Sequence, residues 1–191
     1  MTSSSILKAA RAGRGYTQRE LAVAAGIPQS RIAEIESGSH ETSISRIEQL
    51  LAPLGQKLTF IPGSTAPIWE TAQDLSDALQ GGDERLAWRH FIQMSDDLAN
   101  AEPATRVALC LAEPNETGDQ RFDALIAALA DYWLSRNRLP LPVWVGHPDR
   151  KLKHAWDVEP ILKLQKAARA ATPRSIARHG IYLAESELIS I

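Results

Sequence analysis

The stretch Thr17–Gly38, TQRELAVAAGIPQSRIAEIESG, decides how this chain is to be read. Thr17 followed three residues later by Glu20 is a capping box, the reciprocal pairing that marks a helix start. Leu21 and Ala25 then fall on one side of that helix, four residues apart. Ala22 is small enough for a second helix to cross at close range. Gly26 ends the helix where a positive φ is needed. Ile27 plugs the turn, and Pro28 suits a first helical position because no backbone donor is wanted there. Ile32 and Ile35 face back onto the first helix, leaving Gln29, Ser30, Arg31 and Glu34 outward. Glu36 closes the second helix and Gly38 stops it.

The expected result is a short helix seated by its apolar back, with polar side chains projecting from its leading turn. A DNA major groove accepts that geometry, because amides and guanidinium groups make paired hydrogen bonds to base edges. An ordinary helical hairpin shares the capping and the apolar spacing. It has no need of a small residue, a turn glycine, a turn plug and a polar leading edge together.

Working outward, Ile6, Leu7 and Ala10 share one helical face ahead of this stretch. Ile44, Ile47, Leu50, Leu51 and Leu54 share another behind it. Gly13, Gly15, Gly26, Gly38 and Gly55 punctuate the pattern where helices are expected to stop. Lys57–Ile61, KLTFI, is short, β-prone and bounded by Gly55 and Pro62, so it is expected to be one strand. A lone strand needs a partner for its backbone groups. The simplest donor is the same strand of a second copy, which predicts a homodimer. The Pro/Gly/Ser-rich PGSTAP, Pro62–Pro67, then divides the chain. The expected plan is a first domain over 1–62, a linker over 63–67 and a second domain over 68–191.

The second region is mainly helical by pattern, so the chain as a whole is expected to be mainly all-α. Helices are expected near 67–80, 83–99, 103–112, 119–136 and 159–171, with a short one near 173–179. The Pro-rich RLPLPVWVGHP, Arg138–Pro148, is expected to be an extended crossing segment. No repeat of 20–50 residues is convincing.

Composition bounds the function classes. The 191 residues are 44% apolar and 23% charged, as in globular proteins. Cys110 is the only cysteine, which excludes disulfides within the chain and thiolate zinc clusters. The opening residues lack the apolar core of a signal peptide, and no apolar run is long enough for a membrane helix, so a cytoplasmic location without membrane partners is expected. The net charge of −2 hides a gradient. Residues 1–63 carry seven basic residues against five acidic, residues 70–131 carry four against thirteen, and residues 136–178 carry ten against three. Such blocks are most simply solvated helix faces. The alternatives are an acidic block that faces a partner and a basic block that lies on phosphate or on an acidic protein.

Catalytic signals are thin. His40, His90, His147, His154 and His179 are scattered, and His147, Asp149 and His154 fit no recognised metal spacing. Asp96 and Asp97 are adjacent, so on a helix they diverge. No nucleophile elbow or phosphate loop is present. Cys110 is flanked by apolar residues and is expected to be a buried small hydrophobe. Trp69, Trp88, Trp133, Trp144 and Trp156 are most simply core or interface packing. No catalytic residue, cofactor or metal is expected, and the chain is not read as an enzyme.

The first region resembles the lambda-repressor-like (Cro-like, xenobiotic-response-element type) helix-turn-helix family over roughly Ile6 to Ile61. The resemblance rests on Thr17-Gln18, Leu21-Ala22, Gly26-Ile27, Ser30, Ile32, Ile35-Glu36, Gly38 and Ile47…Leu50…Leu54-Gly55. It implies that Thr17 and Gln18 open a positioning helix near a phosphate. It places Gln29, Ser30 and Glu34 at base-reading positions, Arg31 near the backbone, and Ser39 and His40 in a loop that brushes phosphate. Arg14, Arg19 and Arg46 are most simply ordinary surface charges, with phosphate contact the alternative. Two positions depart from the family pattern. Ala33 stands where polar readers are frequent, and Glu34 is acidic, which only a cytosine amine would welcome.

From about Arg85 to Leu188 the chain is similar to the C-terminal region of bacterial regulators in which this helix-turn-helix precedes an all-helical domain. Genes of this type often resemble the antitoxin or autoregulatory half of a toxin–antitoxin pair. The implied partners are operator double-stranded DNA, a second copy of the chain and a cognate toxin protein. Arg121, Phe122, Trp133 and Trp156 are candidates for such a protein contact, with core packing the simpler account of each. The leading expectation is a dimeric, sequence-specific, autoregulatory and antitoxin-like transcriptional repressor acting by operator occlusion. The alternative is a regulator whose helical domain binds a metabolite in a tryptophan-lined pocket.

Overall fold

The computed structural model describes residues 3–40, 42–58 and 65–189. The chain divides into two compact units, residues 1–60 and 61–191.

In the first unit four helices follow at short intervals: α1 (Ser3–Ala12), α2 (Gln18–Ala25), α3 (Gln29–Ser37) and α4 (Ile44–Leu51), the last running into a 3₁₀ turn at Ala52–Leu54. The expected capping box begins α2: the Thr17 side chain accepts from the Glu20 amide, and the Glu20 carboxylate accepts from the Thr17 amide at 2.7 Å. Gly26 closes α2 in the left-handed region at φ 65°, where its amide reaches back to the Ala22 and Val23 carbonyls. Pro28 stands one position ahead of its expected place, as the cap of α3 rather than its first residue. It keeps the extended φ/ψ that a cap requires and supplies no side-chain bond. Leu7, Leu21, Ala22, Ile32, Ile35, Ile47, Leu50, Leu51 and Leu54 form one buried cluster, with Ile27 and Leu58 packed against its edge. Of the expected strand, Lys57 and Leu58 carry no strand structure, and 59–61 lie outside the described residues. Residues 63 and 64 of the expected linker lie outside them as well.

The second unit is built around α8 (Gln120–Arg136), which follows α5 (Ile68–Gln80), α6 (Glu84–Asn100) and α7 (Pro103–Cys110). Every residue of α8 from Phe122 to Leu134 is buried. A helix that is apolar all round belongs inside a core rather than on its surface. The two aspartates in that stretch are satisfied in place. Asp123 accepts from the Thr117 amide at 2.8 Å, and Asp131 meets Arg178, His179 and Ser135. Helix α6 ends on a buried cation: Arg106 donates to the Leu98, Ala99 and Ala101 carbonyls and to the Asn137 side chain. A guanidinium suits the negative end of a helix and fills its unpaired acceptors.

After α8 the chain departs from expectation. Arg138–Pro148 is not extended throughout, because Val143–Gly146 and Pro148–Arg150 curl into 3₁₀ turns. Trp144 is thereby buried, with its indole N–H donating to the Cys110 carbonyl at 3.0 Å. Helices α9 (Leu162–Ala171) and α10 (Arg174–Ala177) complete the helical set. Two short strands were not foreseen: β1 (Trp156–Asp157) pairs in parallel with β2 (Ile181–Tyr182). The fold is thus mainly all-α, with this two-residue ladder pinning the C-terminal segment to the core.

Four of the five tryptophans pack into the core of this unit. Trp133 and Trp144 are buried, and Trp88 and Trp156 are half-buried in contact with Phe122. Phe122 and Trp133 are core residues, and Arg121 stacks 5.2 Å above the Trp156 ring. Cys110 is buried, and burial pushes its thiol up to about 12. Glu113 stands 3.6 Å from His147, and the described residues hold no group of three or more side chains able to bind a metal. No helix among them is long and apolar enough to cross a membrane.

Candidate nucleic-acid interface

The leading turn of α3 stands free. Gln29, Ser30 and Glu34 are exposed, while Ile32 and Ile35 on the opposite face are buried. Helix α3 is seated by those two isoleucines and by the turn through Gly26, where Ile27 N–H bonds the Ala22 carbonyl at 3.0 Å.

A polar chain runs beneath this surface and ties three helices together. The Arg11 guanidinium clasps Glu36 through two parallel bonds at 2.7 and 2.9 Å and also donates to the Tyr16 carbonyl at 2.6 Å. Glu36 accepts from the Gln18 amide at 2.9 Å, and Gln18 accepts from the Gln29 amide at 2.9 Å. The orientation of both glutamines follows from this order. A carboxylate can only accept, so Gln18 must turn its NH₂ to Glu36 and its oxygen to Gln29. Gln29 in turn commits one N–H inward and keeps its carbonyl oxygen and second N–H for the outside. Burial alone would push the Glu36 carboxyl up. The hydrogen bonds of Arg11 and Gln18, with the charges of Arg11 and Lys8, outweigh it and hold that carboxyl below the ordinary range.

A second set gathers around Arg31. Its guanidinium pairs with Glu34 at 2.9 Å and lies 2.7 Å from His40 Nε2. Because arginine has only donors, that ring nitrogen is the acceptor. Ser39 reaches the same region by donating to the Glu34 carbonyl at 3.1 Å. Thr17 is exposed, but its hydroxyl is taken up in the capping box, where Glu20 holds it at 2.8 Å. The Ser30 hydroxyl makes no hydrogen bond among the described residues. The eight expected residues therefore fall into two bonded groups, Gln18 with Gln29 and Arg31 with Glu34, Ser39 and His40, beside the capping Thr17 and the open Ser30.

Arg11 and Glu36 organise the surface without lying on it, and the role of Arg11 was not foreseen. Its one local signal is a basic residue in the last turn of α1, which any helix end favours. Its partner lies 25 residues away, beyond what spacing reveals.

With this geometry in view, comparison with known families places residues 7–61 in a match to the helix-turn-helix family. No curated protein and no solved structure matches the chain. The matched span runs from the start of the buried cluster on α1 to one residue past the end of the first unit.

Proposed function

We propose that this chain, which its helix-turn-helix domain makes a DNA-binding transcriptional regulator, is a dimeric, autoregulatory repressor of antitoxin-like type. The observation that supports the reading is the exposed leading turn of α3, backed by the Arg11–Glu36–Gln18–Gln29 hydrogen-bonded chain. A side chain whose conformation is settled before binding loses less entropy when it meets a base. Gln29 offers an acceptor and a donor together, the pair that an adenine edge takes up in the major groove. Ser30 is free to add a hydroxyl contact beside it. Thr17 and Gln18 stand at the start of α2, where backbone N–H groups favour a phosphate.

Glu34 enters this reading differently from the other polar side chains. Arg31 partners its carboxylate, which lowers its repulsion of the duplex and leaves Arg31 beside His40 and Ser39 for the backbone. One copy carries only a small cationic excess over residues 1–63. Two copies on successive half-sites double the phosphate contacts and raise occupancy by linkage. Repression then follows from exclusion of polymerase, with no catalytic step in the chain.

The test is anisotropy of the purified full chain on the duplex upstream of its own gene, against a scrambled duplex at fixed salt. Saturation at two chains per site, with preference for the native duplex, supports the proposal. Equal affinity for both duplexes overturns it.

A second reading, response to a small effector, is favoured by one observation. The second unit has an open pocket lined by Tyr132 and arginines, with no tryptophan in it.

A further inference from the structure

Two ends of the basic block meet around that pocket. Arg136 comes from the last turn of α8, and Arg174 and Arg178 come from α10 and its C-cap. The recess has a volume of about 590 Å³. Three guanidinium groups line it against the single carboxylate of Glu185, with Tyr132 and Ser135 between them.

The three arginines are not equally engaged. Arg178 is clamped by Asp131 through Nε and Nη2, while its Nη1 has no partner among the described residues. Arg136 uses only Nη1, which donates to the Tyr132 hydroxyl at 2.8 Å and to Glu185. Arg174 is exposed, and its side chain makes no hydrogen bond or ion pair among the described residues. Three arginines with unused donors, from two elements, thus line one concavity.

We infer that this pocket binds a small molecule through a phosphate group. Planar guanidinium forks match phosphate oxygens two at a time, with a directionality that ammonium groups lack. Asp131 fixes the Arg178 guanidinium plane through two nitrogens before any ligand arrives, which lowers the ordering cost of binding, and Glu185 tethers Arg136 through one. With the Asp131 carboxylate counted beside the lining, three guanidinium groups still outnumber two carboxylates, which suits an anion. The volume lies in the range of small-ligand sites. Duplex DNA fits the recess poorly: its phosphates lie on a convex ribbon that cations meet along an open surface, whereas here the Glu185 carboxylate belongs to the lining. The inference deepens the effector reading, but ligand binding and effector response are measured separately.

The experiment is isothermal titration of the full chain with inorganic phosphate and with pyrophosphate, in chloride buffer of matched ionic strength. Saturable binding is expected, tighter for pyrophosphate, and weakened at least tenfold by Arg174→Gln. Because Arg174 has no partner to lose, that variant is expected to keep the native circular dichroism spectrum and melting temperature. Arg136→Gln provides a second, independent reduction. Absence of saturable binding by either anion overturns the inference, as does equal binding by Arg174→Gln. A loss of operator affinity in both variants, without anion binding, also overturns it and assigns these arginines to nucleic acid. If phosphate binds but leaves operator affinity unchanged, the site stands and the effector reading falls.

Discussion

Gln29 donates its side-chain amide to Gln18 at 2.9 Å, so the first residues of α3 and α2 are joined across the turn that separates them. Gln29 and Ser30 carry no part of the buried cluster. Replacing both by alanine is expected to lower operator affinity by at least tenfold, since a good amide–base pair contributes about 1–3 kcal/mol of discrimination. The melting temperature is expected to stay nearly unchanged. Anisotropy on the upstream duplex and a thermal scan decide this together, and intact binding would remove these residues from the interface.

Arg11 and Glu36 form a nearly enclosed pair, with side-chain exposures of 16% and 4%. Glu36→Ala is expected to destabilise the first unit by about 3 kcal/mol, because it leaves a guanidinium uncompensated. The double replacement Arg11→Met with Glu36→Leu is expected to cost less than the single one. Amide hydrogen exchange over residues 21–35 reports the first unit directly. A larger loss in the double variant would contradict the pairing.

Asp131 carries a pH prediction for the second unit. Burial alone would raise its carboxyl, and the bonds from His179, Arg178 and Ser135, with the Arg178 charge, bring it below the ordinary range. A depressed folded value stabilises the fold above the unfolded value of about 3.9, and that stability is lost as pH falls through the folded value. Asp131→Asn is expected to cost about 1–3 kcal/mol at neutral pH, and the gap to the wild type is expected to close below pH ~3.9. All five tryptophans lie in residues 61–191, so tryptophan fluorescence in urea isolates this unit. A gap that persists unchanged into acid would count against the arrangement.

Two glycines separate backbone strain from crowding. Gly26 has φ 65° and nothing within 4 Å of where a Cβ would stand, so Gly26→Ala is expected to cost about 1–2 kcal/mol from conformation alone. At Gly180, with φ 80°, a Cβ would come within 2.9 Å of the Leu152 carbonyl oxygen, which is backbone and cannot swing aside. Gly180→Ala is therefore expected to destabilise its unit by clearly more. Urea unfolding of both variants provides the comparison, and equal losses would refute the crowding argument.

Cys110 is expected to resist thiol reagents in the native chain. Its thiol is buried and raised to about 12, whereas the thiolate is the reactive form. Labelling at pH 8 is expected to proceed at the rate of unfolding and to become fast in denaturant. Prompt native labelling would show the site to be open.

The sequence by itself determined what depends on near neighbours. The capping box at Thr17–Glu20, the left-handed turns at Gly26 and Gly38, and the apolar spacing through Ile32 and Ile35 are all settled within a few residues. For that reason the helices of both units and the outward face of α3 are legible in the sequence. The base-reading candidates could be placed on that face, although not the bonds that orient them.

Tertiary structure decided the rest, through contacts whose partners are far apart in the chain. Arg11 finds Glu36 across 25 residues, Asp131 finds Arg178 across 47, and β1 finds β2 across 25. Charge and propensity show that such groups need partners, but many partners satisfy the same local rule. Only the packed core brings one of them into range. Until α8 is buried on every side, nothing in Arg136, Arg174 or Arg178 indicates that they share one pocket.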